Sequence, residues 1–147
     1  MNAELLSATE RFLHEQIPLT RAMEVKVESY DGAQLVLAAP LEPNHNHLGT
    51  AFGGSLAALA TLAGYALLWL ELGDRQAHIV VRESTIRYRR PVRGALRAIC
   101  PRPDAAAWAS FRATFDTLGK AHIRLPVRIE HAQQTCVEFD GEFVAIR

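Results

Sequence analysis

Between Leu56 and Leu70 the chain carries no charged side chain, and this run is entered through Gly53-Gly54. A helix that is apolar on every side has no face to show to water, so other elements must enclose it. The run predicts one long helix, roughly Ser55 to Glu71, with Gly73-Asp74 breaking the pattern. At 147 residues and 49% apolar content the chain is expected to be one domain, 1–147, around a single core. The enclosing elements are read from alternation. Met23 to Tyr30 and Gln34 to Ala38 form a hairpin about Asp31-Gly32, and later strands are expected at His78 to Arg89, Ala95 to Pro101, Trp108 to Thr117, Ala121 to Glu130 and Glu142 to Ile146. Gly119-Lys120 reads as a hairpin turn. A leading helix, Ala3 to Gln16, is capped by Asn2 and ended with the help of Pro18. The class is α+β, with a curved, mostly antiparallel sheet around one helix.

Sixteen basic side chains stand against sixteen acidic ones, which leaves no global field to recruit nucleic acid or an anionic membrane. Nothing at the amino terminus has the basic-then-apolar layout of a secretory signal. The stretch from Ala51 to Leu70 approaches membrane-spanning length but has no basic anchors at its ends, so it reads as a buried helix and the chain as cytoplasmic. Cys100 and Cys136 have no CxxC spacing and read as reduced structural residues. His45 and His47 flank Asn46 without a third ligand at suitable spacing, while His14, His78, His122 and His131 are scattered, so no metal is expected.

The segment from Asn44 to Gly54 carries the functional signal. Gly49, Gly53 and Gly54 allow tight turns and close approach to bare backbone. A helix start leaves several N–H donors unpaired, with the positive end of the helix dipole behind them. Such donors suit a developing oxyanion or a polarised carbonyl. The expected chemistry is therefore at a carbonyl.

Leu48-Gly49-Thr50-Ala51-Phe52-Gly53-Gly54 followed by Ile86-Arg87-Tyr88-Arg89-Arg90-Pro91-Val92 resembles the pattern of hotdog-fold acyl thioesterases. More narrowly, Gly49 to Leu56 and Ala60 to Gly64 resemble the thioesterase-type domain of the YiiD C-terminal family, which elsewhere follows an acetyltransferase domain and here is expected to stand alone. The resemblance implies a homodimer or a dimer of dimers, with acyl thioester sites where two subunits meet. Coenzyme A or phosphopantetheine would enter as part of the substrate, with no separate cofactor, and an acyl carrier protein is an expected partner in fatty acid metabolism. It also implies that the substrate carbonyl accepts from Gly54 or from its neighbours Gly53 and Ser55, with Phe52 beside them. Asn46, with Asn44 as competitor, would orient water or the thioester.

One departure from the family pattern bears on mechanism. Where many hotdog thioesterases carry a carboxylate seven residues beyond the second glycine, this chain has Thr61, and no Asp or Glu occurs between Glu42 and Glu71. A hydroxyl has no useful basicity near neutral pH. Three readings follow. The first is a thioesterase in which Asn46 and Thr61 hold water. The second is a malonyl-thioester decarboxylase, which needs an enolate stabilised but no base on water. The third is a non-catalytic acyl-thioester binder. Arg89, Arg90 and Arg93 are candidates for the phosphates of coenzyme A or the surface of a carrier. Each residue also has a structural reading: Asn46 as a turn former, Thr61 bonded back to its helix, Tyr65 as core, and the arginines as a solvated strand face. Acyl length is expected to depend on Leu56, Leu59, Ala60 and the sheet, with small Ala57 and Ala58 leaving room.

Overall fold

A computed structural model describes residues 2–147. Helix α1 (Ala3–Gln16) is capped by Asn2, whose side chain accepts from the Glu4 amide at 2.9 Å. Pro18 does more than end it. Its fixed φ suits a first helical position, and it opens a second short helix, α2 (Pro18–Ala22). Strands β1 (Lys26–Tyr30) and β2 (Gln34–Ala39) form the expected hairpin, closed by Asp31 Oδ1 accepting from the Ala33 and Gln34 amides. After a short 3-10 turn, Glu42–Asn44, the central helix α3 runs over Gly53–Leu72. Gly73, at φ 63°, caps its end.

Five further elements complete the chain: β3 (His78–Tyr88), β4 (Leu96–Pro101), α4 (Ala105–Leu118), β5 (Lys120–His131) and β6 (Gln134–Ile146). The six strands make one sheet in the order β1-β2-β4-β5-β6-β3, antiparallel throughout. It curls around α3, whose Leu59, Ala60, Ala63, Ala66, Leu67 and Leu68 are fully buried against Leu35, Leu37, Leu96, Leu125, Ile129 and Phe143. This is the hotdog arrangement. By length and composition α3 is also apolar enough to cross a membrane, but most of it is enclosed by the fold.

Three expectations are corrected. Trp108 to Thr117 is not a strand but lies in α4, because Phe111 and Phe115, four residues apart, are the positions buried against β5. Asp104 caps this helix through the Ala107 amide at 2.8 Å, and Gly119, at φ 71°, ends it instead of making a hairpin turn. The last strand begins at Gln134, well before Glu142. Gly141 sits within it because a Cβ there would come within 2.9 Å of both the Phe139 and Phe143 rings.

Helix α4 packs along the first half of β5, which β4 does not pair with, since β4 pairs with β5 only from Arg128 to Glu130. Pro126 is tolerated in a central strand for that reason, lying where β5 has no β4 neighbour. From α4, Arg112 donates to the carbonyls of Glu71 (3.3 Å) and Leu72 (3.1 Å), satisfying the end of α3. The outer edge of β1 is covered by α1: Glu10 accepts from the Val27 amide at 2.9 Å, and His14 donates to the Val25 carbonyl at 2.8 Å.

The β5–β6 turn places Ala132 at φ 52° and Gln133 at φ 63°, a left-handed pair that normally selects Asn-Gly. Gln133→Gly is expected to raise stability by about 1 kcal/mol, read as a higher urea midpoint at unchanged slope. No gain would mean that the turn relaxes without strain.

Candidate functional site

The glycine-rich loop is closed by Asn46. Its Oδ1 accepts from the amides of Leu48 (2.8 Å) and Thr50 (3.2 Å), and its Nδ2 donates to Thr50 Oγ1 (2.9 Å) and the Ala51 carbonyl (3.5 Å). Gly49, at φ 79°, supplies the left-handed residue that the loop needs. Both ends of the Asn46 amide are thus engaged within its own loop. Asn44 is buried, its Nδ2 donating to the carbonyls of Met23 (2.9 Å) and Pro40 (2.8 Å), which ties the loop to the base of α2 and β2.

The loop is then fastened to the opposite motif. Ala51 donates its amide to the Val92 carbonyl at 2.9 Å, and the Tyr88 hydroxyl donates to the Gly53 carbonyl at 3.3 Å. A Cβ on Gly53 would lie 3.6 Å from the Tyr88 ring. The two sequence motifs therefore meet at the first turn of α3. The first helical bond is Leu56 N–H to the Phe52 carbonyl at 3.0 Å, and Phe52 gives no side-chain cap. Among the described residues no acceptor meets the N–H groups of Gly53, Gly54 and Ser55. The Phe52 ring lies over Gly54, where a Cβ would fall 2.4 Å from Cε2.

From this turn a stripe of α3 stays open. Gly54, Ala57, Ala58, Thr61 and Tyr65 are partly or fully exposed, whereas Leu56, Leu59 and Ala60 are buried against the sheet. The acyl-length expectation is corrected accordingly for Leu56, Leu59 and Ala60, which face the core. A groove of about 340 Å³ lies instead beside Ala57, Ala58, Thr61, Leu62 and Tyr65, walled by Ile17 and Leu19. Thr61 Oγ1 donates back to the Ala57 carbonyl at 2.9 Å. Burial raises the Tyr65 hydroxyl above the usual tyrosine range, which disfavours a tyrosinate base. None of the residues lining this groove is charged. Away from it, burial pushes the Cys100 thiol up to about 12, so that residue is no nucleophile.

The arginines separate into two groups. Arg89 is paired with Glu138, within an outer sheet face laced by Arg124–Asp140 (3.3 Å), Arg124–Glu142 (3.2 Å) and Arg97–Glu28 (2.8 Å) pairs. Arg90 and Arg93 are exposed on the β3–β4 loop and have no side-chain partner among the described residues. That loop is anchored by buried Val92 and by the Cys136 carbonyl, which accepts from the Arg89 (2.8 Å) and Arg90 (3.1 Å) amides. The alternation of Arg87 and Arg89 signalled the strand correctly but not the Glu138 that neutralises Arg89. Sequence reading also overlooked Ile17 and Leu19 as groove walls, and the placement of Tyr88 against Gly53. A sequence signal existed for Tyr88, which belongs to the quoted motif, and none for the other two.

Residues 6–147 match the model of a family described as "Putative thioesterase (yiiD_Cterm)". Among solved structures, the chain is similar to a protein of unknown function from Chlorobaculum tepidum TLS, at 35% identity over 96% of this chain and 93% of that one, with a TM-score of 0.89. It is also similar to a putative thioesterase from Shewanella oneidensis, at 29% identity over 99% and 100% with a TM-score of 0.86. A third, a protein of unknown function and probable thioesterase from Pseudomonas aeruginosa, shares 25% identity over 95% and 94%, with a TM-score of 0.82.

Proposed function

Because the chain belongs to the thioesterase family of the YiiD C-terminal type, we propose that it hydrolyses acyl thioesters of coenzyme A or an acyl carrier protein, polarising the carbonyl at the start of α3. The observation that carries this reading is the set of three N–H groups at Gly53, Gly54 and Ser55 without acceptors, beside an apolar, charge-free groove. A thioester oxygen in that position gains negative charge as water adds to the carbonyl carbon, and the donors stabilise it. The carbon–sulfur bond then breaks and the thiolate takes up a proton. Asn46 acts by holding the loop that sets the donor geometry. Thr61 forms part of the groove wall along which the acyl chain lies. Arg90 and Arg93, which have no side-chain partner among the described residues, meet the phosphates of the carrier or nucleotide.

The working unit in this reading is a homodimer in the cytoplasm. Strand β3 borders the sheet with one side unpaired, and Val80, Val81 and Tyr88 on it are exposed. Leu48 and Phe52, 75% and 55% exposed, extend this apolar border to the site. Pairing of β3 with its copy would cover the border and bring a second wall to the groove.

A second reading, decarboxylation of a malonyl thioester, is favoured by the lack of any carboxylate along the groove and by the back-bonded Thr61. Loss of carbon dioxide leaves an enolate whose oxygen requires the same donors, and its carbon is then protonated from solvent. Mass-spectrometric product analysis separates the two. Acetyl, hexanoyl and malonyl thioesters of coenzyme A and carrier protein are incubated with the wild type and with Asn46→Ala. Free acid plus thiol is the expected result, with Asn46→Ala slower by about tenfold or more as the loop loosens. Acetyl thioester accumulating from malonyl thioester assigns decarboxylation instead. Absence of turnover with every substrate would leave a binding protein.

A further inference from the structure

Every residue of α3 before Leu70 that is at least partly exposed lies on one stripe. It runs from Gly53, Gly54 and Ser55 through Ala57 and Ala58 to Thr61 and Tyr65, one face of a 3.6-residue repeat. The stripe therefore leads directly away from the unpaired N–H groups. Its only side-chain hydroxyls beyond Ser55 are those of Thr61, committed to the Ala57 carbonyl, and Tyr65 at the far end. Leu19 of α2 and Ile17 before it form the flanking wall, and Leu19 is 55% exposed with no apolar cover of its own.

Along α3 the groove lining stops at Tyr65. Phe12 of α1 stacks on Trp69 at 4.5 Å and on Tyr65 at 6.4 Å with the latter rings 9° from parallel, and Arg75 lies over Trp69 at 3.8 Å. This stack holds Tyr65 in place as an end wall. From Ala57 to Tyr65 the helix advances about 12 Å, space beside it for an extended chain on the order of ten carbons. A charge-free wall that begins next to the carbonyl donors and ends at a tyrosine held in a ring stack suits an aliphatic chain of limited length.

We propose that this groove holds the acyl chain of the substrate and limits it to short and medium linear chains, with Tyr65 as the stop and Leu19 as the side wall. The assignment rests on the placement of the carbonyl at the start of α3, and it names the substrate class of that site. Each methylene entering the groove adds to binding until the chain reaches Tyr65, after which further methylenes remain in water. Tyr65 and Leu19 are specificity-determining residues and take no part in bond making.

The test uses calorimetric binding of non-hydrolysable S-alkyl thioethers of coenzyme A, from ethyl to hexadecyl, to the full chain, beside turnover of the matching thioesters. Affinity is expected to rise by up to about fourfold per methylene and to level off near ten carbons. Tyr65→Ala should move the plateau to longer chains. Leu19→Trp, at an exposed position that spares the core, should lower affinity for the longer alkyl chains while binding of the ethyl compound changes little. Affinity that ignores chain length in the wild type would overturn the proposal. So would an unshifted plateau in both variants. If Ala58→Arg dissociates the dimer while length dependence is absent, the groove belongs to a subunit contact. Binding that follows chain length without turnover of any thioester would fault the hydrolytic reading and leave the groove assignment intact.

Discussion

Gly54→Pro is expected to lower kcat by about 10² to 10³ relative to Gly54→Ala, a difference of about 3–4 kcal/mol in the barrier, with little change in the unfolding midpoint. Proline removes one N–H and nothing else that the helix uses, because the amide of the second helical residue has no partner within α3. Gly53 before it has no Cβ, which eases the usual conflict between a proline and the preceding residue. Gly54→Ala is the proper reference. It keeps the donor while introducing the same Cβ, which would fall 2.4 Å from the exposed Phe52 ring and turn that ring aside. Equal kcat values for the two variants would remove the Gly54 amide from the chemistry and shift attention to Gly53 or Ser55. The comparison applies to hydrolysis and decarboxylation alike, since both develop charge on the thioester oxygen.

Gly64→Ala should destabilise the protein by about 1–2 kcal/mol, although alanine improves helix propensity by about 1 kcal/mol at such a position. The added Cβ would stand 2.4 Å and 2.6 Å from two atoms of the Phe143 ring. Phe143 is fully buried and leans on Phe139 at 6.4 Å, so the ring has nowhere to retreat. Urea unfolding of Gly64→Ala, Phe143→Leu and the double variant would measure the conflict. The double variant is expected to be more stable than the sum of the single changes. A gain in stability for Gly64→Ala alone would show that the Phe143 ring can yield to the added Cβ.

What could be read in the chain follows from how many physical signals agreed at each place. For α3, absence of charge, a glycine entry and a glycine exit all gave one answer. For 108–117 they conflicted. Trp108, Ser110, Arg112 and Thr114 alternate with Ala109, Phe111, Ala113 and Phe115 well enough for a strand, while the spacing of Phe111 and Phe115 and the flanking Asp104 and Gly119 suit a helix. Packing decided it, because β4 ends at Pro101 and the space beside β5 needed an element that could bury two rings on one side. At the site, the glycines disclosed where donors would be left over. The hydrogen bonds that occupy both ends of Asn46, and the Glu138 that meets Arg89, depend on loop closure and strand register, which residue types do not encode locally. Ile17 and Leu19 reach α3 only through the α1–α2 bend, a contact across some forty residues of chain.

The two borders of the sheet are not equivalent. Glu10 and His14 occupy the Val27 amide and the Val25 carbonyl along β1, and an irregularity in pairing between Val27 and Ser29 further distorts that margin. Among the described residues nothing comparable covers β3. A molecule able to offer main-chain pairing on one margin alone can recruit a single neighbour by that route, and association then ends with two copies related by a twofold axis. Endless stacking needs two receptive margins on each unit. If two copies pair through β3 as proposed, the first helix limits the assembly as well as stabilising the chain: a chain lacking it is expected to bare a second adhesive border and to grow into filaments, which sedimentation would detect.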